Sequence, residues 1–389
     1  MSLNATPKGE RLHIGIFGRR NAGKSSVINA ITDQEIAIVS DVKGTTTDPV
    51  YKAMELLPIG PVMIIDTPGI DDEGDLGEQR VKASYRVLNK CDIALLVVDA
   101  SVGFTDCDYA LIEKLKEKNI NYVVAFNKCD KGELIEEGVI CCSAKSGKNI
   151  DKLKEEIIQI AGIEKPDKRI VGDLIKEGDT VLLVVPIDSA APKGRLILPQ
   201  QQTIRDVLDG NCVCVVVKED KVSEAVRKYA PSLVVCDSQI FGKVKSRVPE
   251  SVPLTSFSIL FARYKGDLEV NLRGIERLDG LANGDSVLIS EGCTHHRQCG
   301  DIGTVKMPMW IKEHTGKDLN FEFTHGGEFP EDLSKFALVV HCGGCMLNER
   351  EMKYRIACCL DSRVPIVNYG MAIAHMNGIL KRSLEPLLK

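Results

Sequence analysis

The stretch Gly18-Arg19-Arg20-Asn21-Ala22-Gly23-Lys24-Ser25 decides the fold of the first part of this sequence. It follows the apolar run Leu12–Phe17 and precedes a helix-like segment from Ser25 to Thr32. The pattern G-x-x-x-x-G-K-[ST] between a strand and a helix predicts a phosphate-binding loop rather than a chance glycine turn. Its glycines let backbone N–H groups surround a phosphate, and the helix N-terminus adds positive potential. We expect Lys24 to reach the β- and γ-phosphates and Ser25 to bind Mg²⁺.

Three further motifs extend this prediction. Asp66-Thr67-Pro68-Gly69 follows a second apolar run, where Asp66 is expected to hold the Mg²⁺ shell and the Gly69 N–H to sense a γ-phosphate. In Asn127-Lys128-Cys129-Asp130, the Asp130 carboxylate can accept the N1–H and N2–H₂ of guanine, which adenine lacks. Ser143-Ala144-Lys145 follows the fifth run and is expected to contact the base. The order and spacing match translation-factor-class GTPases. The predicted nucleotide-binding residues are Gly18, Asn21, Ala22, Gly23, Lys24, Ser25, Ser26, Asp66, Asn127, Lys128, Asp130, Ser143, Ala144 and Lys145.

The catalytic prediction rests on a switch segment, Gly44-Thr45-Thr46-Thr47-Asp48. Thr46 is the preferred Mg²⁺-covering residue, with Thr47 as an alternative. Position 70 is Ile, where Ras-like enzymes carry the Gln that orients water. Asn21 stands where GTPases similar to TrmE hold a potassium ion, which would neutralise developing charge. We therefore expect slow, potassium-stimulated GTP hydrolysis to GDP and phosphate. The predicted catalytic residues are Lys24, Asn21, Thr46 and Gly69.

Composition restricts the class of protein. The 389 residues carry 50 Lys+Arg against 55 Asp+Glu, a net charge of −5, with 44% hydrophobic residues. This balance is typical of a soluble globular protein and argues against nucleic acid as a partner. The apolar stretches fall short of the ~20 residues that span a bilayer, so no membrane role is expected. The N-terminal sequence shows no apolar signal core, which predicts a cytoplasmic location.

The chain is predicted to form three α/β domains. Apolar runs alternate with amphipathic segments up to residue 162, as in a parallel sheet covered by helices, and a charged linker with Pro166 follows. Two smaller α/β segments repeat the alternation. The predicted domains are a GTP-binding domain at 1–166, a middle domain at 167–266 and a third domain at 267–389.

Cysteine and histidine cluster in the third segment. The chain has 14 Cys, and the last hundred residues contain Cys293-Thr294-His295 and His341-Cys342-Gly343-Gly344-Cys345. Each motif follows a predicted strand, Ser286–Ser290 or Ala337–Val340, and the carboxyl ends of parallel strands meet at one sheet edge. Three interpretations stay open: a structural Cys₃His zinc site, a [4Fe–4S] cluster on three cysteines, and a set of core cysteines. The spacing does not separate zinc from iron–sulfur.

A TrmE-like GTPase domain followed by C-x-H and H-C-x-x-C resembles the HydF family of [FeFe]-hydrogenase maturation GTPases. The resemblance covers the whole chain, including the segment from Pro186 to Arg195, which is similar to that family's dimerisation domain. It implies that Cys293, Cys342 and Cys345 hold a [4Fe–4S] cluster whose fourth position is labile. The candidates for that position are His295, His341, Asp188 or an external ligand.

The resemblance also implies a function and partners. The family scaffolds a diiron precursor of the H-cluster made by two radical-SAM maturases and delivers it to apo [FeFe]-hydrogenase. We therefore expect a homodimeric GTPase that acts as an iron–sulfur scaffold and carrier. The alternative is a TrmE/Era-like GTPase in RNA modification or ribosome assembly with a structural zinc. The net charge and the lack of a basic stripe or a G-x-x-G clamp in the last segment argue against that alternative.

Overall fold

The computed structural model describes residues 6, 8–32, 49–71, 75–131, 138–162, 168–187, 196–292, 301–330 and 332–388. The chain divides into two compact units, Met1–Lys165 and Pro166–Lys389. The second unit contains both the predicted middle domain and the predicted third domain. The three-domain boundaries remain a prediction.

The described part of the first unit contains a six-stranded sheet in the order β2-β3-β1-β4-β5-β6. Its strands are Leu12–Phe17 (β1), Val50–Leu56 (β2), Gly60–Asp66 (β3), Ile93–Asp99 (β4), Asn121–Asn127 (β5) and Ile140–Cys141 (β6). Its α-helices are Lys24–Thr32 (α1), Asp75–Leu88 (α2), Asp106–Glu117 (α3) and Ile150–Ala161 (α4). All strand pairs are parallel except β2 with β3.

The central strand β4 shows why this sheet is covered on both faces. Its six residues from Ile93 to Val98 are all buried, and alternate side chains point to opposite faces. Leu95 and Val97 pack into one hydrophobic cluster, with residues of α1 and α4. Leu96 and Val98 pack into the other cluster, with residues of α2 and α3. The apolar runs of the sequence therefore predict the parallel strands correctly.

Strand β2 differs from the predicted all-parallel arrangement. It pairs antiparallel with β3 at the edge of the sheet, and Val50, Ala53 and Glu55 are its exposed positions. An edge strand has one solvated face and few buried side chains, so it carries no continuous apolar run that would predict it.

The second unit has two four-stranded parallel sheets among its described residues, in the orders β10-β9-β7-β8 and β12-β11-β13-β14. The strands are Thr180–Val184 (β7), Val213–Val217 (β8), Leu233–Cys236 (β9), Leu254–Ser256 (β10), Ser286–Glu291 (β11), Asn320–His325 (β12), Leu338–His341 (β13) and Ile366–Asn368 (β14). The α-helices are Leu198–Asp209 (α5), Val222–Tyr229 (α6), Phe241–Val244 (α7), Phe257–Lys265 (α8), Leu268–Asp279 (α9), Met307–Thr315 (α10), Glu349–Asp361 (α11), Tyr369–Met376 (α12) and Leu380–Leu384 (α13).

One hydrophobic cluster joins the two sheets of this unit. It includes Leu182 and Val234 from one sheet and Val287 and Val340 from the other, with residues of α8, α9 and α12. The shared core explains why residues 166–389 behave as a single compact unit, because the two sheets bury their apolar side chains against common helices. Among the described helices, none has both the length and the apolar character needed to cross a bilayer.

Candidate functional site

The phosphate loop runs from the end of β1 to the start of α1, as the motif predicts. Gly18 and Gly23 both have positive φ, of 142° and 91°. A Cβ at Gly18 would lie 2.1 Å from the Val97 carbonyl oxygen, and one at Gly23 would lie 2.3 Å from Asn127 Nδ2. Neither position therefore tolerates a side chain, because the strained backbone and the close neighbour act together. Ala22 is buried in this loop, and Ser26 lies half-buried in the first turn of α1.

The predicted phosphate and Mg²⁺ groups lie together. Lys24 Nζ donates to the carbonyl oxygens of Gly18 and Arg19 at 2.8 and 2.9 Å. Ser25 Oγ donates to Asp66 Oδ2 at 3.0 Å. Burial raises the pKa of Asp66, while Lys24 and the Ser25 hydrogen bond oppose that rise. Asp66 Oδ1 is buried and has no hydrogen-bond partner among the described residues, so its lone pairs fit a divalent cation held next to Ser25.

The predicted guanine-recognition loops are joined through Asn127. Its Nδ2 donates to the Ala22 carbonyl at 3.0 Å, and its Oδ1 accepts from the Ala144 N–H at 3.0 Å. Asn127 is buried, so this one amide connects the phosphate loop to the Ser143–Lys145 loop. Asp130 Oδ1 accepts from Ser143 Oγ at 2.7 Å, and this hydrogen bond lowers the pKa of the exposed Asp130 carboxyl. The carboxylate is therefore charged and oriented. Lys145 is exposed on the same loop.

Sequence reasoning missed Asp99 as part of this region. Lys128 Nζ contacts Asp99 Oδ2 at 2.7 Å and also donates to the Asn21 carbonyl of the phosphate loop. Burial works to raise the pKa of Asp99, but hydrogen bonds from Lys128 and Ser101 outweigh it, and the pKa is lowered. The sequence position of Asp99 could have indicated this role, because Asp99 lies at the carboxyl end of β4 and ligands bind at the carboxyl ends of parallel strands.

Two further predicted residues of the nucleotide site, Asn21 and Gly69, lie in loops. Asn21 is exposed with a φ of 61°, and Gly69 is partly exposed in the loop after β3. Ile70, which stands in place of a water-orienting Gln, is 4% exposed and packs into a hydrophobic cluster. Thr46 and the rest of the predicted switch lie outside the described residues.

The second candidate site is formed where β11 and β13 end. These strands pair in parallel, with Ser290 opposite His341, so the segments that follow them start side by side. Cys342 Sγ accepts from the Gly292 N–H at 3.1 Å and from the Gly344 N–H at 3.4 Å. Gly292 directly precedes Cys293. Cys293, His295 and Asp188 lie outside the described residues.

The two described thiols of the predicted ligand set resist ionisation. Burial raises the pKa of Cys342, and the Gly292 and Gly344 N–H groups act in the opposite direction. Burial and the neighbouring Cys342 raise the pKa of Cys345 to about 11. Because a metal or cluster binds the thiolate form, binding here would release protons. The two backbone N–H groups directed at one sulfur fit a thiolate ligand, since hydrogen bonds to sulfur tune such centres.

His341 is positioned to orient the loop. Its Nδ1 lies 2.7 Å from the Cys342 carbonyl oxygen, and its Nε2 lies 3.0 Å from Arg355 Nη1. A guanidinium has no acceptor, so Nε2 must accept from Arg355 and Nδ1–H must donate to the carbonyl. Burial and Arg355 lower the pKa of His341 to about 3, which keeps the ring neutral. Both ring nitrogens are therefore engaged, and neither offers a lone pair to a metal in this arrangement.

Arg355, which sequence reasoning missed, forms a buried polar network behind this loop. It is fully buried on α11 and donates to Glu351 Oε1 at 2.8 Å and to Ser290 Oγ at 3.3 Å, besides His341. The Phe329 ring lies 5.1 Å from its guanidinium carbon. The i,i+4 spacing of Glu351 and Arg355 is visible in the sequence, but a solvated helix pair has the same spacing. Only its burial shows that this pair supports the cysteine loop.

Lys265 is a second missed residue, at the end of α8. It is 3% exposed, and its Nζ donates to the carbonyl oxygens of Cys345 and Leu347 at 3.1 and 2.8 Å. Gly344 has a φ of 61°, and a Cβ there would lie 2.9 Å from Met352 Sδ. The C-x-x-C loop is thus held in shape by a buried ammonium and a required glycine.

Family models match three successive parts of this chain. Residues 13–128 match a 50S ribosome-binding GTPase model, residues 170–266 match a hydrogen maturase F dimerization domain, and residues 269–386 match a hydrogen maturase F tetramerization domain. The two hydrogen maturase F models together span more than half of the chain. The chain belongs to the hydrogen maturase F (HydF) family. The predicted family and the predicted fold class, a P-loop GTPase domain followed by further α/β domains, are confirmed.

Curated relatives of this HydF family member include two tRNA modification GTPases named MnmE. The protein of Streptococcus sanguinis is 38% identical over 42% of this chain and 38% of its own length. That of Aquifex aeolicus is 36% identical over 39% of this chain and 35% of its own length. The chain thus spans little more than a third of these relatives. A solved structure of Aquifex aeolicus Era bound to GDP·AlF4⁻ covers 56% of this chain and 97% of its own, with 19% identity and a TM-score of 0.36.

These matches bear out part of the functional prediction for this family member. A GTPase domain is present at residues 13–128, and this supports GTP hydrolysis. The dimerization and tetramerization models support formation of an oligomer, so the predicted dimer is consistent with the family. The ligand set of the cysteine site and the role of each nucleotide-site residue stay predictions.

Proposed function

We propose that this chain is a GTP-hydrolysing iron–sulfur scaffold that assembles the diiron precursor of the H-cluster and delivers it to apo [FeFe]-hydrogenase. The observation that carries the proposal is the loop of Cys342 and Cys345, whose first sulfur accepts the N–H of Gly292, the residue before Cys293. This arrangement occurs in a HydF family member with a GTPase domain. The proposed partners are two radical-SAM maturases, apo-hydrogenase and a second copy of the chain, all in the cytoplasm.

In the proposed GTPase domain, 1–166, Ser25 and Asp66 hold Mg²⁺ and Asp130 accepts from guanine. The buried Asp66 Oδ1 supports the metal assignment because a cation would satisfy it. Lys24, which now donates to loop carbonyls, would turn its ammonium to the phosphates, and the Gly69 N–H and Thr46 would respond to the γ-phosphate. Asn21 would help to hold K⁺, whose charge substitutes for an arginine finger.

The potassium proposal is tested by measuring GTP hydrolysis in buffers that differ only in Na⁺ or K⁺. We expect slow turnover in Na⁺ and faster turnover in K⁺. An Asn21→Gly variant keeps the positive φ of this position but removes the amide oxygen. It should bind GTP and lose the potassium stimulation. Equal rates of the wild-type protein in the two salts would refute the proposal.

In the proposed cluster-binding domain, 267–389, Cys293, Cys342 and Cys345 hold a [4Fe–4S] cluster. When bound, such a cluster would supply one iron with an exchangeable ligand. The Gly292 and Gly344 N–H groups stabilise sulfur charge, Lys265 and Arg355 hold the loop, and His341 orients it. The engaged nitrogens of His341 favour His295, Asp188 or an external ligand at the fourth position. The proposed middle domain, 167–266, would carry the dimer contact.

The central experiment is anaerobic reconstitution of the full-length protein with iron and sulfide, followed by EPR of the reduced sample. A [4Fe–4S] signal is expected in the wild-type protein and in Cys358→Ala, a control on α11, and is expected to be lost in Cys345→Ala. Stoichiometric zinc without a cluster would refute the proposal. That outcome would favour the RNA-modification alternative, which the 36–38% identity to the two MnmE proteins supports.

A further inference from the structure

Three helices of the second unit place one acid and two imidazoles at a common point. Asp279 is the last residue of α9, while His314 and His375 are the next-to-last residues of α10 and α12. His314 Nε2 lies 2.8 Å from Asp279 Oδ1, and His375 Nε2 lies 2.9 and 3.0 Å from its two carboxylate oxygens. One potential ligand atom from each residue lies within 4.8 Å of the other two. None of these residues belongs to the cysteine site or to the nucleotide site.

The surroundings of this cluster favour a cation. The carboxyl ends of α9, α10 and α12 all point to it, and each contributes partial negative charge. The basic side chains nearest in sequence contact other acids, because Arg277 binds Asp285 at 2.9 Å and Lys312 binds Asp318 at 3.0 Å.

A cluster held by hydrogen bonds alone is the competing explanation, in which two neutral imidazoles each donate Nε2–H to the Asp279 carboxylate. The two imidazole ring centroids are 5.4 Å apart, and both rings direct the same nitrogen, Nε2, to the same carboxylate. With the ring protons on Nδ1 instead, the same three groups offer a metal ion the lone pairs of two neutral imidazoles and one carboxylate.

We propose that Asp279, His314 and His375 form a second metal site, which takes a divalent first-row transition metal through two imidazole nitrogens and one carboxylate. Tetrahedral coordination with bonds near 2.05 Å separates ligand atoms by about 3.3 Å. The present nitrogen–oxygen distances need to widen by only about 0.5 Å to reach that value. Asp279 has 52% of its side chain exposed and the two histidines about a quarter, so the remaining coordination positions face solvent. Two His and one carboxylate with open positions is a donor set that suits Fe²⁺, Co²⁺, Ni²⁺ or Zn²⁺.

Co²⁺ titration of the metal-free, full-length protein under anaerobic conditions tests the site. To remove competition from the cysteine loop, the titration uses a Cys342→Ser/Cys345→Ser background. We expect one Co²⁺ per chain with ligand-field bands and no sulfur-to-cobalt charge transfer. Asp279→Asn, and separately the pair His314→Gln/His375→Gln, should weaken binding at least about tenfold. Asp361→Asn changes an exposed aspartate that is the last residue of α11, as Asp279 is of α9, and should leave Co²⁺ binding unchanged.

Thermal unfolding provides a readout that does not depend on the spectrum. Co²⁺ should raise the melting temperature of the background protein and of Asp361→Asn, because a ligand that binds only the folded state stabilises it. It should not raise that of Asp279→Asn, whose own melting temperature without metal shows whether it is folded. The proposal is overturned if the background protein takes up no Co²⁺ beyond the Asp279→Asn variant, or if the histidine pair variant binds Co²⁺ equally well. The iron–sulfur proposal is unaffected by either outcome, because it rests on different residues.

Discussion

The nucleotide site and the cysteine site are built in opposite ways. At the nucleotide site, short motifs lie at the ends of β1, β3, β5 and β6. Their polar groups contact one another directly, as Ser25 contacts Asp66 and Asn127 contacts Ala22 and Ala144. At the cysteine site, two short cysteine motifs depend on residues outside them. Arg355 and Lys265 lie on different helices, and neither is part of a recognisable motif. The motifs of both sites can be recognised in the sequence, whereas the distant buried residues that support the cysteine site cannot.

The largest expected effect tests this dependence directly. Arg355→Met should destabilise the second unit by about 3–5 kcal/mol, because it leaves Glu351 and the Nε2 of His341 buried without their partner. Urea unfolding followed by the fluorescence of Trp310, the single tryptophan of the sequence, reports on this unit. Lys353→Met removes an exposed ion pair on the same helix and should lower the free energy of unfolding by at most about 1 kcal/mol. If the two variants unfold at the same urea concentration, the Arg355 network does not support this unit.

Next in size is a change within a motif of the nucleotide site. Gly23→Ala should lower GTP affinity about a hundredfold, because the new Cβ would lie 2.3 Å from Asn127 Nδ2 at a φ of 91°. Binding of a fluorescent GTP analogue measures the effect. Gly60→Ala is a matched control, since Gly60 has the same φ and a Cβ there would meet nothing within 4 Å. Equal affinities of the two variants would show that a side chain at position 23 does not disturb the phosphate loop.

A smaller effect is expected at Lys265. Lys265→Met should lower the free energy of unfolding by about 1–3 kcal/mol, because the carbonyls of Cys345 and Leu347 lose a buried donor. It should also reduce the iron retained after reconstitution, since the loop is no longer held. Lys243→Met, on the short helix α7, is the control and should retain iron as the wild-type protein does. Full iron retention in Lys265→Met would mean that the loop keeps its shape without this contact.

The smallest predicted change concerns guanine recognition. Ser143→Ala removes the 2.7 Å hydrogen bond that orients the Asp130 carboxylate, and should weaken GTP binding by roughly two- to fivefold. The same titration with ATP, which is not expected to use Asp130, should change less. An equal loss for both nucleotides would assign the effect to the loop as a whole rather than to the Asp130 carboxylate.

The sequence predicted more of the nucleotide site than of the cysteine site. The parallel strands and the phosphate loop were predictable because long apolar runs and glycine-dependent turns carry strong local signals, as β4 and Gly23 illustrate. Strand β2 was missed because an edge strand buries few side chains. His341 was an open candidate for the fourth cluster ligand, and only the Arg355 contact to its Nε2 shows that its lone pair is engaged.

The sequence by itself determined the class of this protein. The GTPase motifs, the cysteine motifs and the alternation of apolar runs each depend on residues close together along the chain, so local chemistry is enough to recognise them. The tertiary structure alone decided which distant residues support or extend these motifs. Arg355 contacts His341 next to the cysteine loop, and Asp279 contacts both His314 and His375 at the ends of three helices. The physical reason is that helix packing and burial bring these groups together, and neither leaves a fixed spacing in the sequence.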